Sequence, residues 1–242
     1  MDKFLIMKDN DYIVYGSMYN LSRDDLDVRN VVIACHGFGA NRDGETIKVV
    51  AEGNPNSVIV SFDWPGHGNS GERLLVKNCI ENYELVYDYV IRRFPKANLY
   101  AFGSSFGAYI TLQVLKIHPE YDIQKAFFKS PAITMEKTFM MLAAGEDVTK
   151  YKDTPYVTSS GISVYYDFYE ELLESVITPE NIIKKPDIFI FHGTEDKLVY
   201  LEDILLYDND NIHIEVLEGA EHSYRGEYLD RLTKKMREEI GN

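Results

Sequence analysis

Hydrophobic and polar positions along the chain follow two periods in turn. Short, mostly apolar runs stand at Val31-Val32-Ile33-Ala34-Cys35, at 57–62, at Leu99-Tyr100-Ala101-Phe102, at 125–129, at 187–191 and at 212–217. Such runs suit strands buried on both faces, as in a parallel sheet covered by helices. Between them apolar residues recur every three or four positions. Ile80, Tyr83, Val86, Tyr87, Val90, Ile91 and Phe94 predict a helix over 77–94, stopped by Pro95. Ile110, Leu112, Val114, Leu115 and Ile117 predict a buried helix with Pro119 beyond its end, and Tyr228, Leu232, Met236 and Ile240 mark the inner side of a last helix. Weaker patterns predict a helix over 41–51 and a short one over 201–207.

Residues 3–8 and 12–19 read as an antiparallel hairpin at a sheet edge, turned by Asp9-Asn10-Asp11. A polar loop, Ser22 to Asn30, follows it. Strand and helix then alternate with short connections. The pattern predicts an α/β fold: a mostly parallel eight-stranded sheet with helices on both faces. One stretch breaks the rhythm. Residues 131–186 are too many for a crossover helix and carry Phe139, Tyr151, Tyr156, Tyr165, Tyr166, Phe168 and Tyr169. We read it as a cap inserted over the sheet's C-terminal edge, with 1–130 and 187–242 forming the core. The other reading is a decorated crossover remote from any site.

Composition narrows the function classes. The 242 residues are 45% hydrophobic, enough for a substantial core, and the formal net charge is −14. Nucleic acids and anionic membranes call for basic faces, so this balance disfavours both. No apolar run reaches 18 residues, and Phe4 to Met7 is too brief for a signal segment. Cys35 and Cys79 fall in a predicted strand and a predicted helix, which suggests buried thiols in a reducing cytoplasm rather than a disulfide framework. Neither a paired-cysteine nor a His-x-x-x-His spacing occurs, and no phosphate loop with Lys-Ser/Thr is present, so neither metal nor cofactor is expected. Gly66-His67-Gly68-Asn69-Ser70-Gly71 matches a dinucleotide fingerprint by letter. However, Trp64-Pro65 separates it from its strand and the next helix begins late, so it reads as a loop packed on the sheet.

The chemistry gathers where strands end. Leu99 to Phe102 run into Gly103-Ser104-Ser105-Phe106-Gly107, with a helix behind. A serine on so sharp a strand-to-helix turn presents its hydroxyl above the sheet, and the glycines on either side make room for the neighbouring backbone. By register that serine is Ser105. It needs a base and an acid to orient the base. Asp196 follows the strand 187–191, with Glu195 as the fallback, and His222 follows the strand 212–217. The order Ser105, Asp196, His222 is the one this architecture uses.

Taken together, the motifs resemble the α/β-hydrolase family over nearly the whole chain. They are His36-Gly37-Phe38-Gly39, Asp63-x-x-Gly66-His67-Gly68-x-Ser70, Gly103-Ser104-Ser105-Phe106-Gly107, His192-Gly193-Thr194-x-Asp196 and Gly219-Ala220-x-His222. The likeness is to the branch of small serine esterases, monoacylglycerol lipases and cinnamoyl or feruloyl esterases, the last of which carry a small cap in this position. It implies a carboxylic ester hydrolase acting on a small-molecule ester. It also implies an oxyanion hole formed by the backbone N–H groups of Phe38 and Phe106. Phe38 departs from the triple-glycine form of its loop and narrows the acyl site. His36 is expected to brace that loop. The aromatic cap raises a further expectation of an aromatic acyl group such as a hydroxycinnamoyl, unless its tyrosines simply form the cap's own core. A monoacylglycerol lipase, thioesterase or small peptidase on the same fold, and a binding protein without catalysis, are the alternatives.

Overall fold

The computed structural model describes residues 1–8, 11–21, 28–143 and 145–241. The turn predicted at Asp9-Asn10 and most of the loop after Ser22 lie outside them. Ten strands and seven helices are described. An eight-stranded sheet runs in the order β1(Asp2–Met7), β2(Ile13–Tyr19), β4(Val58–Phe62), β3(Asn30–Cys35), β5(Asn98–Ser104), β6(Ile123–Lys129), β9(Asp187–Gly193), β10(Ile212–Leu217). The pairings β1/β2 and β2/β4 are antiparallel and all the others are parallel. This is the mostly parallel, eight-stranded sheet expected from the pattern, in the α/β-hydrolase arrangement that the motifs' resemblance implies, with the N-terminal hairpin at one edge.

The apolar runs are strands because each buries both of its faces. Along β3, Val31, Ile33 and Cys35 enter one core while Val32 and Ala34 enter the other. This is the two-residue period of a pleated strand. On the first face lie α2(Val76–Arg93) and α3(Phe106–Ile117), which pack against each other. On the second lie α1(Glu45–Gly53) and α7(Glu227–Ile240), whose apolar stripe of Leu229, Leu232, Met236 and Ile240 is buried. Parallel strands β3, β5, β6, β9 and β10 all end at the same edge. Loops leaving that edge therefore converge, whatever their separation in sequence.

Two expectations need correction. The first helix starts at Glu45, not Asn41. Residues 41–44 instead form a turn, closed by Gly44 N–H to Asn41 O, 3.0 Å. Its side chains are engaged elsewhere: Asp43 accepts from Ser17 Oγ (2.7 Å), Tyr19 Oη (2.8 Å) and Lys3, while Arg42 pairs with the buried Asp63. Second, Ile117 and Ile91 are not core residues; they are 52% and 39% exposed. Ile117 is the last residue of α3, where the packed surface has run out.

Residues 131–186 form α4(Met135–Leu142), a 3-10 turn at Val148–Lys150, a minimal hairpin of β7(Tyr156–Val157) and β8(Ser163–Val164), and α5(Tyr166–Glu174). Phe139 and Phe168 are buried in its base, edge to face at 5.5 Å, and Phe168 meets the ring of Phe106 at 6.0 Å. This segment therefore shares one continuous core with the helix behind Ser105.

Candidate active site

Ser105 stands between β5 and α3 with φ 51° and ψ −111°. A non-glycine residue in that region carries strain of roughly 1–3 kcal/mol, which persists only where the surroundings over-determine it. Here they do. Ser105 N–H donates to Lys129 O (2.9 Å), and Ser105 O accepts from the N–H groups of Ala108 (3.0 Å) and Ala132 (3.2 Å). A Cβ at Gly103 would lie 2.6 Å from Ala108 N, so only glycine lets the helix turn back this closely on its strand.

The structure brings Ser105, Asp196 and His222 together. His222 Nδ1 lies 2.7 Å from Asp196 Oδ2, and His222 Nε2 lies 3.0 Å from Ser105 Oγ. The carboxylate only accepts, so Nδ1 carries the proton and Nε2 faces the hydroxyl as acceptor. Asp196 is buried, and its other oxygen accepts the N–H groups of Leu198 and Val199, both at 2.9 Å. Burial pushes its carboxyl upward. Its bond to His222 and these two backbone donors outweigh that and hold it below the usual range. Glu195, the fallback acid, is exposed and makes no bond to His222. His192 Nε2–H donates to Val199 O (2.9 Å) and so tethers the far end of the acid's loop.

Phe106 is the first residue of α3, where an N–H has no carbonyl one turn back to bond. Phe38 lies opposite, its ring edge-on to that of Phe106 at 5.9 Å. Two buried histidines support its loop. His36 Nδ1–H donates to Gly37 O (2.8 Å) while its Nε2 accepts Trp64 N–H (3.3 Å). His67 Nδ1–H donates to Pro65 O (2.9 Å) while its Nε2 accepts Gly39 N–H (3.0 Å). The GHG stretch thus acts on the loop of Phe38 and makes no direct contact with the triad. Both rings must be neutral to accept these bonds. Burial drives His36 down to about 3, helped by His67, and lowers His67 as well. The native state thus binds fewer protons than the unfolded chain between the ordinary imidazole value near 6.5 and pH 3. Stability attributable to His36 is full above about 6.5 and falls as pH drops through that window, by at most about 1.4 kcal/mol per pH unit. Urea midpoints measured from pH 7 to 4 should decline, and His36→Asn should flatten the decline.

A cavity of about 420 Å³ opens on Ser105 and His222. The segment 131–186 contributes Met135, Thr138, Leu142 and Thr158 to Ser160 to its walls. None of the tyrosines of that segment is among the lining residues. Tyr151 packs on Tyr156 (5.3 Å), Tyr169 on Phe139 (5.9 Å), and Tyr165 lies under the guanidinium of Arg73 (3.8 Å). Among the described residues, no cluster of three or more His, Cys, Asp or Glu is placed to hold a metal ion, and no helix is long and apolar enough to cross a membrane.

A family model described as "Serine aminopeptidase, S33", a hydrolase family, matches residues 27–148, half of the chain. The chain belongs to that family. No curated protein matches this member of it. Among solved structures it is similar to Est1E from Butyrivibrio proteoclasticus with ferulic acid bound, at 17% identity and TM-score 0.83, covering 99% of this chain and 100% of that one. An esterase from Pyrococcus furiosus matches at 20% identity and TM-score 0.73, covering 99% and 90%. Mouse alpha/beta hydrolase domain-containing protein 10 matches at 14% identity and TM-score 0.73, covering 99% and 98%. At these identities the likeness carries the fold, and the chemistry has to be argued from the site.

Sequence reasoning missed Lys129. It closes the buried stretch Ala126-Phe127-Phe128 at the end of β6, beside Ser104 in register, and lines the cavity. A charged residue closing that apolar stretch, next to the nucleophile's strand, was the available signal.

Proposed function

We propose that this family member hydrolyses carboxylic esters through an acyl-enzyme, with Ser105 as nucleophile, His222 as general base and then acid, and Asp196 as the orienting carboxylate. The observation that carries this reading is the unbroken line from Asp196 through His222 to Ser105, at 2.7 and 3.0 Å, opening on a cavity. His222 Nε2 takes the Ser105 proton as Oγ attacks the ester carbonyl. The N–H groups of Phe38 and Phe106 receive the negative charge that develops on the carbonyl oxygen. His222 then protonates the departing alcohol, and water repeats the sequence on the acyl-enzyme. We further propose that 131–186 is a cap that walls the acyl side of the cavity and excludes water there.

The aliphatic and hydroxyl groups of Met135, Thr138 and Leu142 favour a modest aliphatic acyl group. For an aromatic, hydroxycinnamoyl-type acyl group, Phe38 is the one phenyl ring among the described residues lining the cavity, since the cap's tyrosines pack on Phe139, on Arg73 and on each other. Short nitrophenyl esters should therefore be hydrolysed at least as efficiently as a feruloyl ester of similar size. A tenfold or greater preference for the feruloyl ester (roughly 1.4 kcal/mol) would reverse that assignment. Family membership favours one other reading, removal of an N-terminal residue from a peptide. An aminoacyl nitroanilide in the same panel tests it directly. Stoichiometric labelling of Ser105 by a fluorophosphonate distinguishes any of these enzymes from a binding protein.

A further inference from the structure

His222 lies on a loop between β10 and α7, outside any regular element. A loop residue needs outside anchors if its ring is to hold a bond to Ser105 within tenths of an ångström. The anchors come from the end of β6. Lys129 Nζ donates to His222 O at 2.8 Å, and Ser130 Oγ donates to the same oxygen at 3.0 Å. Lys129 also accepts the N–H of Ser105 on its own carbonyl at 2.9 Å. Ser130 is itself held in an unusual conformation, φ 44°, by its N–H bond to Phe191 O at 3.0 Å.

The Lys129 side chain is unusual for a lysine. The residue is 4% exposed, and its ammonium faces the ring of Tyr224 at 4.0 Å. Among the described residues no carboxylate lies within ion-pair distance of it. Burying an unpaired charge in this way ordinarily costs stability. The charged groups that act on it are Asp196, which favours the ammonium, and Arg225, which opposes it. Burial is the larger influence and pushes the group down to about 8. A methionine of similar shape would fill the same space without that cost. The cation is therefore better explained by what it holds than by any stability it adds.

We propose that Lys129 is a positioning residue for the catalytic pair: its side chain grips the backbone of His222 while its carbonyl grips the backbone of Ser105, so that one residue sets the separation of base and nucleophile. Ser130 is the second hand of the grip. The inference rests on the triad reading above.

Three variants of the full chain test this grip: Lys129→Met, which removes donor and charge; Lys129→Gln, which keeps an N–H donor without the charge; and Ser130→Ala. The readouts are kcat and KM on a nitrophenyl ester, the melting temperature and the rate of fluorophosphonate labelling. Lys129→Met should lower kcat by about tenfold or more with KM within about twofold, since small misplacements of reacting groups are costly. Its melting temperature should stay level or rise. Lys129→Gln should retain most of kcat and of the labelling rate. Ser130→Ala should show a smaller loss of both. A Lys129→Met enzyme with kcat within about twofold of the parent would overturn the proposal, as would a loss of kcat matched by the loss of folded protein. If Lys129→Met fails to fold, Ser130→Ala decides: parental kcat and labelling rate then refute the grip on His222, and a loss of both with KM within about twofold upholds it. If the parent enzyme is neither active nor labelled, the triad reading itself has failed, a result distinct from any of these.

Discussion

Ser105→Ala should reduce turnover to the residual rate of a site without a nucleophile, a fall in kcat/KM of about three orders of magnitude or more on a nitrophenyl ester. The size follows from the division of labour. In the proposed mechanism the hydroxyl forms the covalent intermediate, while the N–H groups of Phe38 and Phe106 would remain to polarise the carbonyl. The fold should not suffer, because among the described residues Ser105 Oγ bonds only His222, and the strained backbone is held by Lys129 and Ala132 through main-chain groups. The strain supplies a second measurement. At φ 51° a glycine sits without the Cβ penalty, so Ser105→Gly should melt above Ser105→Ala while being equally inactive. Activity of Ser105→Ala within about tenfold of the parent would dismiss Ser105 as the nucleophile.

Gly107→Ala should be among the most damaging small substitutions. A Cβ there would lie 2.6 Å from His36 O and press on Cys35 O as well. Both are backbone atoms at the end of β3, which no rotamer change can move aside. Helix α3 must therefore ride away from β3, or the end of β3 must yield. Either movement costs about 3 kcal/mol or more of stability, at the severe end for overpacking. It also changes the function of the molecules that still fold. The chain leaving His36 carries Phe38, and the helix that would move begins at Phe106, so the two proposed oxyanion donors would separate. A displacement near 1 Å at such a site costs on the order of a hundredfold in rate. The measurements are the urea midpoint and kcat per folded molecule, with Gly71→Ala as control. A Cβ at Gly71 meets nothing within 4 Å, and its change should stay within about 0.5 kcal/mol. A Gly107→Ala protein with parental stability and turnover would refute the packing argument.

Much of this molecule was legible in the residues because the relevant forces are local or periodic. Strands β3 to β6 show as apolar runs since both faces must leave water. Helix α2 shows as a three- and four-residue stripe since one face must. Where side chains were committed to distant partners, the local signal misled. Asn41 to Gly44 look like a helix start, yet Arg42 and Asp43 are drawn to Asp63, Ser17 and Tyr19, and the turn they make delays α1 to Glu45. The tyrosines of 131–186 show the same limit. Their number suggests a ring-binding wall, but which neighbours they meet is set by the packing of α4, α5 and the small hairpin.

The succession of strands and helices along the chain, the sharp turn at Ser105 and the candidates Asp196 and His222 were determined by the sequence alone, because burial and backbone strain restrict residue choice at each of those points. What only the tertiary structure decided is distance: that His222 Nε2 stands 3.0 Å from Ser105 Oγ, that a buried lysine ties the two together, and that His67 reaches across to the loop of Phe38. Those contacts join residues 28 to 117 positions apart. No local preference encodes such a contact; it exists only once the parallel strands, β4 among them, have brought their ends to one edge.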